Sequence, residues 1–146
     1  MWFVYALSAS VLWGISYAAS GRAIERGVPP LVFFTVYAGV AMTMGLAALL
    51  VTGKLDTLTR LGQTLGGDLF WLSVAVLASA VGTLMIYLAI GDKNATLASL
   101  VEISYPVFVA LFSWLFFRAV QFNGWTLVGA ALVLSGVVVV FLANRH

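Results

Sequence analysis

The chain has 146 residues, of which 63% are hydrophobic and only 8% are charged, whereas soluble domains carry about 25% charged residues. This composition excludes a soluble globule and favours an integral membrane protein, and a net charge of +2 excludes the basic surface that binds nucleic acid. The chain has no Cys and a single His, His146, so we expect no disulfide, no metal site and no cofactor.

Five long apolar segments are separated by short polar breaks. A bilayer core of roughly 30 Å requires about 20 apolar residues in helical form, and each segment meets that length. We predict an all-α membrane fold, with one five-helix domain over residues 1–146 and helices at approximately 2–20, 31–51, 69–90, 95–117 and 125–143. Residues 1–5 lack the basic start of a signal peptide, so we expect the first helix to span the membrane.

The breaks between the segments contain residues that commonly start helices. Pro29 and Pro30 suit the first turn of the second helix, and Asp68 and Asn94 stand where N-caps are expected for the third and fourth helices. The connection over residues 52–67 has leucines at helical spacing: Leu55, Leu58, Leu61 and Leu65. This spacing predicts either a short amphipathic helix on the membrane surface or an irregular polar loop.

The basic residues leave the orientation of the chain in the membrane nearly undetermined. Five spans place three basic residues on one side, Lys54, Arg60 and Arg118. The other side receives four, Arg22, Arg26, Lys93 and Arg145. The positive-inside bias is therefore close to zero. Either the chain inserts in both orientations and pairs as an antiparallel homodimer, which resembles the inverted repeats of transporters, or local effects select one orientation.

Glu102 is the charged residue that lies well inside a predicted span, about 10 Å from its start at Ala95. An ionised side chain at that depth is costly, so we expect it to face the bundle interior or a water-filled cavity. Pro106, four residues later, cannot donate a hydrogen bond to the Glu102 carbonyl and predicts a helix kink. The fourth helix therefore places a carboxyl group beside irregular backbone, which is tolerated only where protein or a cavity supplies partners.

Polar and aromatic residues accompany Glu102 on neighbouring faces. Ser99 and Tyr105 lie beside it on the fourth helix, and Trp13 and Tyr17 form a facing wall on the first. We hypothesise that Glu102 binds a proton or a cationic substrate, while Trp13, Tyr17 and Tyr105 add cation–π attraction. The alternative is a protonated Glu102 that hydrogen-bonds to a neighbouring helix and stabilises packing.

The fifth helix carries small residues on one face. Gly129 and Gly136 are seven residues apart, a spacing at which two helix backbones can approach closely. We therefore predict that this face packs against another helix or against a second subunit.

Three short motifs carry a resemblance to a known family. They are Val-Leu-Trp-Gly-Ile-Ser-Tyr over residues 11–17, the proline-centred segment over residues 105–117, and Val-Gly-Ala-Ala-Leu-Val-Leu-Ser-Gly-Val over residues 128–137. In this order they resemble the EamA-type members of the drug/metabolite transporter superfamily. The last motif is also similar to the small multidrug-resistance transporters, in which a glycine face joins two subunits.

The resemblance implies a secondary transporter of small metabolites or drug-like cationic solutes in the inner or plasma membrane. Family members commonly carry two five-helix repeats and a Glu after the fourth helix, whereas this chain has one repeat and reads Phe-Arg-Ala-Val over residues 117–120. The resemblance therefore implies a half-sized unit that pairs with a second unit, antiparallel or parallel. The pair would enclose a substrate path and work by alternating access. The alternative is a non-transporting membrane subunit or scaffold. An enzyme is not expected, because catalysis requires several convergent ionisable groups and Glu102 stands alone.

Overall fold

The computed structural model describes residues 1–119 and 123–144. Arg145 and His146, which entered the charge and composition arguments, lie outside the described residues. Within the described ranges the chain is helical and contains no strand. The helices are α1 (Trp2–Glu25), α2 (Pro30–Val51), α3 (Leu55–Thr59), α4 (Leu61–Leu65), α5 (Leu69–Asp92), α6 (Ala95–Glu102), α7 (Tyr105–Phe117) and α8 (Gly124–Ala143).

Five helical segments are long and apolar enough to cross a bilayer. They are α1, α2, α5 with α4 at its start, α6 together with α7, and α8. The predicted all-α membrane fold with five spanning helices is therefore confirmed, and the chain is a multi-pass membrane protein.

The first helix extends beyond the predicted residue 20. It continues to Glu25, which forms an exposed ion pair with Arg22 at 3.6 Å. The chain then turns at Gly27, whose φ of +97° is a backbone conformation that residues with a Cβ rarely adopt. The additional turn is polar enough to lie beyond the bilayer core.

The helix starts follow the sequence prediction with one exception. Pro30 is the first residue of α2, and the Asn94 side chain accepts a hydrogen bond of 2.9 Å from the Leu97 N–H at the start of α6. Asp68 precedes α5 but makes no capping hydrogen bond. Asp68 thus takes the predicted N-cap position, but a 3₁₀ turn over Gly66–Asp68 gives it helical backbone angles, whereas a capping side chain is typically found on extended ones.

The connection after α2 is helical rather than irregular. Two short helices, α3 and α4, meet at Arg60, and the 3₁₀ turn follows them. Leu55 and Leu58 remain exposed on this segment, as expected for an amphipathic connection that has apolar side chains to place against lipid.

The tight packing lies at one end of the bundle, here named the packed end. It holds the turns at residues 26–29 and 93–94. The buried residues of the described chain gather there: Tyr17, Ser20 and Gly21 of α1, Tyr87 and Ile90 of α5, and Ala98 of α6. From α2, Phe33, Phe34 and Tyr37 pack against this cluster. Four helices, α1, α2, α5 and α6, therefore converge at the packed end. The α8 helix contributes no buried residue.

Glycine permits the closest approach at the packed end. A Cβ added to Gly21 would lie 2.9 Å from the Ala95 Cβ, a distance at which one helix must shift. α1 and the start of α6 are thus in contact because residue 21 has no side chain.

Candidate functional site

The fourth spanning segment is broken at the depth of Glu102. α6 ends at Glu102 and α7 begins at Tyr105, so Ile103 and Ser104 form a turn between two helices. Pro106 is in the first turn of α7, where its missing N–H costs little. The N–H of Val107 donates to the Ser104 carbonyl at 3.0 Å, which restarts the helix after the break. The interruption is therefore a full break over two residues, and it begins before the proline.

The side chain of Glu102 is held by α1. The Tyr17 hydroxyl donates a hydrogen bond to Glu102 Oε2 at 2.5 Å, within the short range typical of O–H donors to carboxylates. Tyr17 is 9% exposed, and Glu102 is partly buried. Oε2 of Glu102 is therefore hydrogen-bonded to α1, whereas Oε1 receives no hydrogen bond from the described residues.

A cavity of about 1090 Å³ lies between α1, α5, α6 and the break. Its lining includes hydroxyl groups from several helices, namely Ser10, Ser79, Thr83, Thr96 and Ser99. Among the described residues, Glu102 is the charged residue in this lining, and none of the described Lys or Arg residues contributes to it. The electrostatic character of the cavity is therefore set by a single carboxyl group.

Aromatic rings form much of the remaining wall. The rings of Trp13 and Tyr17 are 5.5 Å apart between centroids, and Tyr37 and Tyr105 also line the cavity. A cation inside the cavity can therefore contact ring faces as well as the carboxylate.

A second aromatic layer supports this wall from the packed end. Tyr87 is fully buried and packs against Phe33 and Tyr37, with centroid distances of 4.8 Å and 6.0 Å. Its hydroxyl lies near Ser16 but makes no hydrogen bond of standard geometry within the described residues. Tyr37 is consequently held between the buried core and the cavity.

All five residues predicted to bind a proton or substrate line this cavity: Trp13, Tyr17, Ser99, Glu102 and Tyr105. The Ser99 hydroxyl donates to the Thr96 carbonyl at 3.0 Å. Tyr105 is 61% exposed and stands directly after the break. Their roles remain hypotheses, but the structure places all five residues in the lining of one cavity.

Tyr37 is the aromatic lining residue that the sequence analysis missed. It lies in α2, which is apolar on nearly all sides, so periodicity does not indicate which face turns inward. The available signal was its hydroxyl group, one of few polar groups in this span, since such groups tend to find a polar partner.

Gly129 and Gly136 lie apart from the cavity on α8. Neither has a neighbouring heavy atom within 4 Å of where a Cβ would stand. They therefore do not mediate close packing with another helix of the same chain.

Comparison with known protein families matches residues 1–142 to the EamA-like transporter family. Searches of curated proteins and of solved structures found no match. The family match covers nearly the whole described bundle, including the cavity and the break. The chain therefore belongs to the EamA-like transporter family, whose members are membrane transporters of small solutes.

Proposed function

We propose that this chain is a secondary transporter of small organic cations and that Glu102 is the carboxylate that binds them. The observation that supports this proposal is the charge of the cavity lining, in which Glu102 has no basic neighbour among the described residues. A cation entering the cavity gains attraction to the carboxylate and to the rings of Trp13, Tyr17 and Tyr105. An anion meets like charge and no compensating Lys or Arg.

The size of the cavity is compatible with this substrate class. Ligand pockets typically measure about 300–1,000 Å³, and this cavity measures about 1090 Å³. It can therefore hold a drug-sized or metabolite-sized cation together with some water. Its hydroxyl groups offer hydrogen bonds to polar substituents without adding charge.

Transport by alternating access requires the packed end to open. Ala95, which lines the cavity, contacts Gly21 at the packed end. The break at residues 103–104 borders the cavity through Ile103. Because few backbone hydrogen bonds cross such a break, α6 can tilt relative to α7 at moderate cost. We propose that this tilt exposes Glu102 alternately to the two sides of the inner or plasma membrane.

We further propose that the transporter works as a homodimer. The Gly129 and Gly136 face of α8 has no neighbour within the described chain, and small residues allow a second subunit to approach this face closely. The nearly balanced basic residues make an antiparallel arrangement of the two copies accessible. A parallel dimer is the alternative, and labelling of the two ends of the bundle distinguishes them.

Uptake into liposomes tests the proposed transport. Purified protein is reconstituted, and uptake of a radiolabelled quaternary ammonium probe is compared with uptake of a carboxylate probe of similar size. We expect uptake of the cation alone, and loss of this uptake in Glu102→Gln. Glu25→Gln is the matched control, because Glu25 is exposed outside the cavity. Equal uptake of both probes contradicts the proposed selectivity, and absence of uptake of any solute supports a scaffold instead.

A further inference from the structure

A second concave surface of the described chain lies between α7 and α8 and borders the Glu102 cavity at Ile103, which lines both. This groove has a volume of about 530 Å³. From α7 and the break it is lined by Ile103, Pro106, Val107, Ala110, Leu111 and Trp114, and from α8 by Thr126, Leu127, Gly129, Ala130 and Val133. The lining is apolar apart from the Thr126 hydroxyl and the Trp114 indole N–H. Both helices belong to spanning segments, so the groove lies at the depth of the hydrocarbon region.

The length of the groove suits an acyl chain. The lining on the fourth segment runs from Ile103 to Trp114, a length of about 16 Å at 1.5 Å per residue. A volume of about 530 Å³ along this length accommodates an extended acyl chain.

A positive charge lies at the end of the groove. The Arg118 guanidinium stands over the Trp114 ring, 5.5 Å from its centroid, and Trp114 is the last lining residue of α7. The ion pair found in the described part of the chain joins Arg22 to Glu25, so no described carboxylate neutralises Arg118. Arg118 is the C-cap of α7 and directly follows the spanning segment that ends at Phe117, so we infer that its guanidinium lies near the depth of the lipid phosphates.

The groove and the small-residue face of α8 overlap at Gly129, which lines the groove. At about 100° per residue, Thr126, Ala130 and Val133 share one face of α8, and Gly136 is turned by roughly 90° from it. A subunit packed on both glycines therefore borders the groove at Gly129, and a lipid in the groove lies at the edge of the proposed dimer interface.

We propose that this groove binds an anionic phospholipid, with one acyl chain between α7 and α8 and its phosphate paired with Arg118. A guanidinium forms bidentate hydrogen bonds with a phosphate, and the Trp114 ring below it fixes the position of the charge. An apolar groove that ends at an unneutralised cation is complementary to a molecule with an apolar chain and an anionic head. The proposal does not depend on the transported substrate.

Tryptophan quenching in liposomes tests the proposal, because Trp114 lines the groove. The full-length protein is reconstituted with increasing fractions of phosphatidylglycerol brominated on its acyl chains, or of brominated phosphatidylcholine as the zwitterionic control. The difference in fluorescence between the protein and Trp114→Phe isolates the signal of Trp114. We expect half-maximal quenching of this signal at a roughly five-fold lower fraction of the anionic lipid, the preference that one basic residue confers at a membrane surface.

Two variants locate the preference in the groove. Arg118→Gln is expected to remove the difference between the lipids, whereas Arg60→Gln, a basic residue on the same side of the bundle, is expected to retain it. Ala130→Leu, which fills the groove, is expected to weaken quenching by both lipids. Equal quenching of Trp114 by both lipids in the unmodified protein overturns the proposal.

The absence of Cys in the sequence provides a test against a second copy as occupant. Ala130→Cys places a single thiol in the groove. If a lipid occupies it, mild oxidation yields monomeric protein. Disulfide-linked dimers through residue 130 show that a second copy fills the groove and overturn the lipid proposal.

Discussion

The hydroxyl of Tyr17 donates a hydrogen bond to Glu102 Oε2 at 2.5 Å, and this contact joins α1 to the break between α6 and α7. The two residues are 85 positions apart in sequence. Because Glu102 is the last residue of α6, the bond connects the carboxylate to the backbone element that we propose to move. Binding of a substrate to the carboxylate and the position of α6 relative to α1 therefore both depend on this contact.

Removal of this hydrogen bond is expected to destabilise the fold. Tyr17→Phe keeps the ring against Trp13 but removes the donor, and hydrogen bonds to charged groups contribute about 1.5–3 kcal/mol. We expect the free energy of unfolding in detergent to fall by about 1–3 kcal/mol. Chemical denaturation followed by circular dichroism measures it.

Tyr5→Phe is the matched control for that measurement. Tyr5 is also on α1 but is 72% exposed, so removal of its hydroxyl should change the free energy of unfolding little. An equal decrease in both variants indicates that the bond between Tyr17 and Glu102 does not stabilise the described conformation.

The negative charge of Glu102 is expected to determine the binding of a cationic substrate. Glu102→Gln removes this charge, so the apparent affinity for a quaternary ammonium probe should fall. The groups around the carboxyl are hydroxyls, from Tyr17 of α1, Tyr37 of α2, Tyr87 of α5 and Tyr105 of α7. Among the described residues no other charged group lines the cavity, so a loss of affinity is attributable to Glu102.

Equilibrium binding of the probe to purified protein checks this expectation. Glu25→Gln is the matched control, because Glu25 is exposed outside the cavity, and it should bind the probe as the unmodified protein does. An unchanged affinity in Glu102→Gln places the cation site elsewhere.

The close contact at the packed end makes a prediction about Gly21. Gly21→Ala places a Cβ at 2.9 Å from the Ala95 Cβ, so α1 and α6 must separate, and overpacking of this kind costs about 1–3 kcal/mol. Gly14→Ala in the same helix meets no heavy atom within 4 Å and should be neutral or mildly stabilising, since Ala favours a helix more than Gly does.

The double variant Gly21→Ala/Ala95→Gly separates contact from helix propensity. Exchange of the two side chains restores the space, so we expect most of the lost stability to return. Thermal unfolding of the unmodified protein, the two single variants and the double variant measures the coupling between the two positions. Additive effects of the two substitutions are inconsistent with direct contact between the two positions.

The sequence indicated much of the site because its polar residues are rare. In a chain this apolar, Glu102 and the residues one helical turn away from it stand out, and Trp13 and Tyr17 share a face of α1. The approximate place of the helix interruption followed from Pro106, although the break itself begins at Ile103. These inferences needed only local spacing along a helix.

The arrangement of α2 and the packed end were beyond sequence reasoning. α2 is apolar around its full circumference, so nothing in its periodicity placed Tyr37 toward the cavity. The contact between Gly21 and Ala95 depends on the distance between two helices, to which many small residues of the chain are equally suited. Tertiary packing, not local pattern, decides such contacts.

Two single cysteines are expected to show whether both orientations coexist in the membrane. Asp56→Cys and Asp92→Cys place exposed thiols at opposite ends of the bundle, because α5 crosses the membrane between them. The antiparallel homodimer requires each thiol to face both sides, so a membrane-impermeant reagent should label about half of either variant in intact cells and all of it after permeabilisation. If one variant is labelled fully and the other is protected, the chain has one orientation. The two copies in the proposed dimer must then be parallel, with both packed ends on the same side of the membrane.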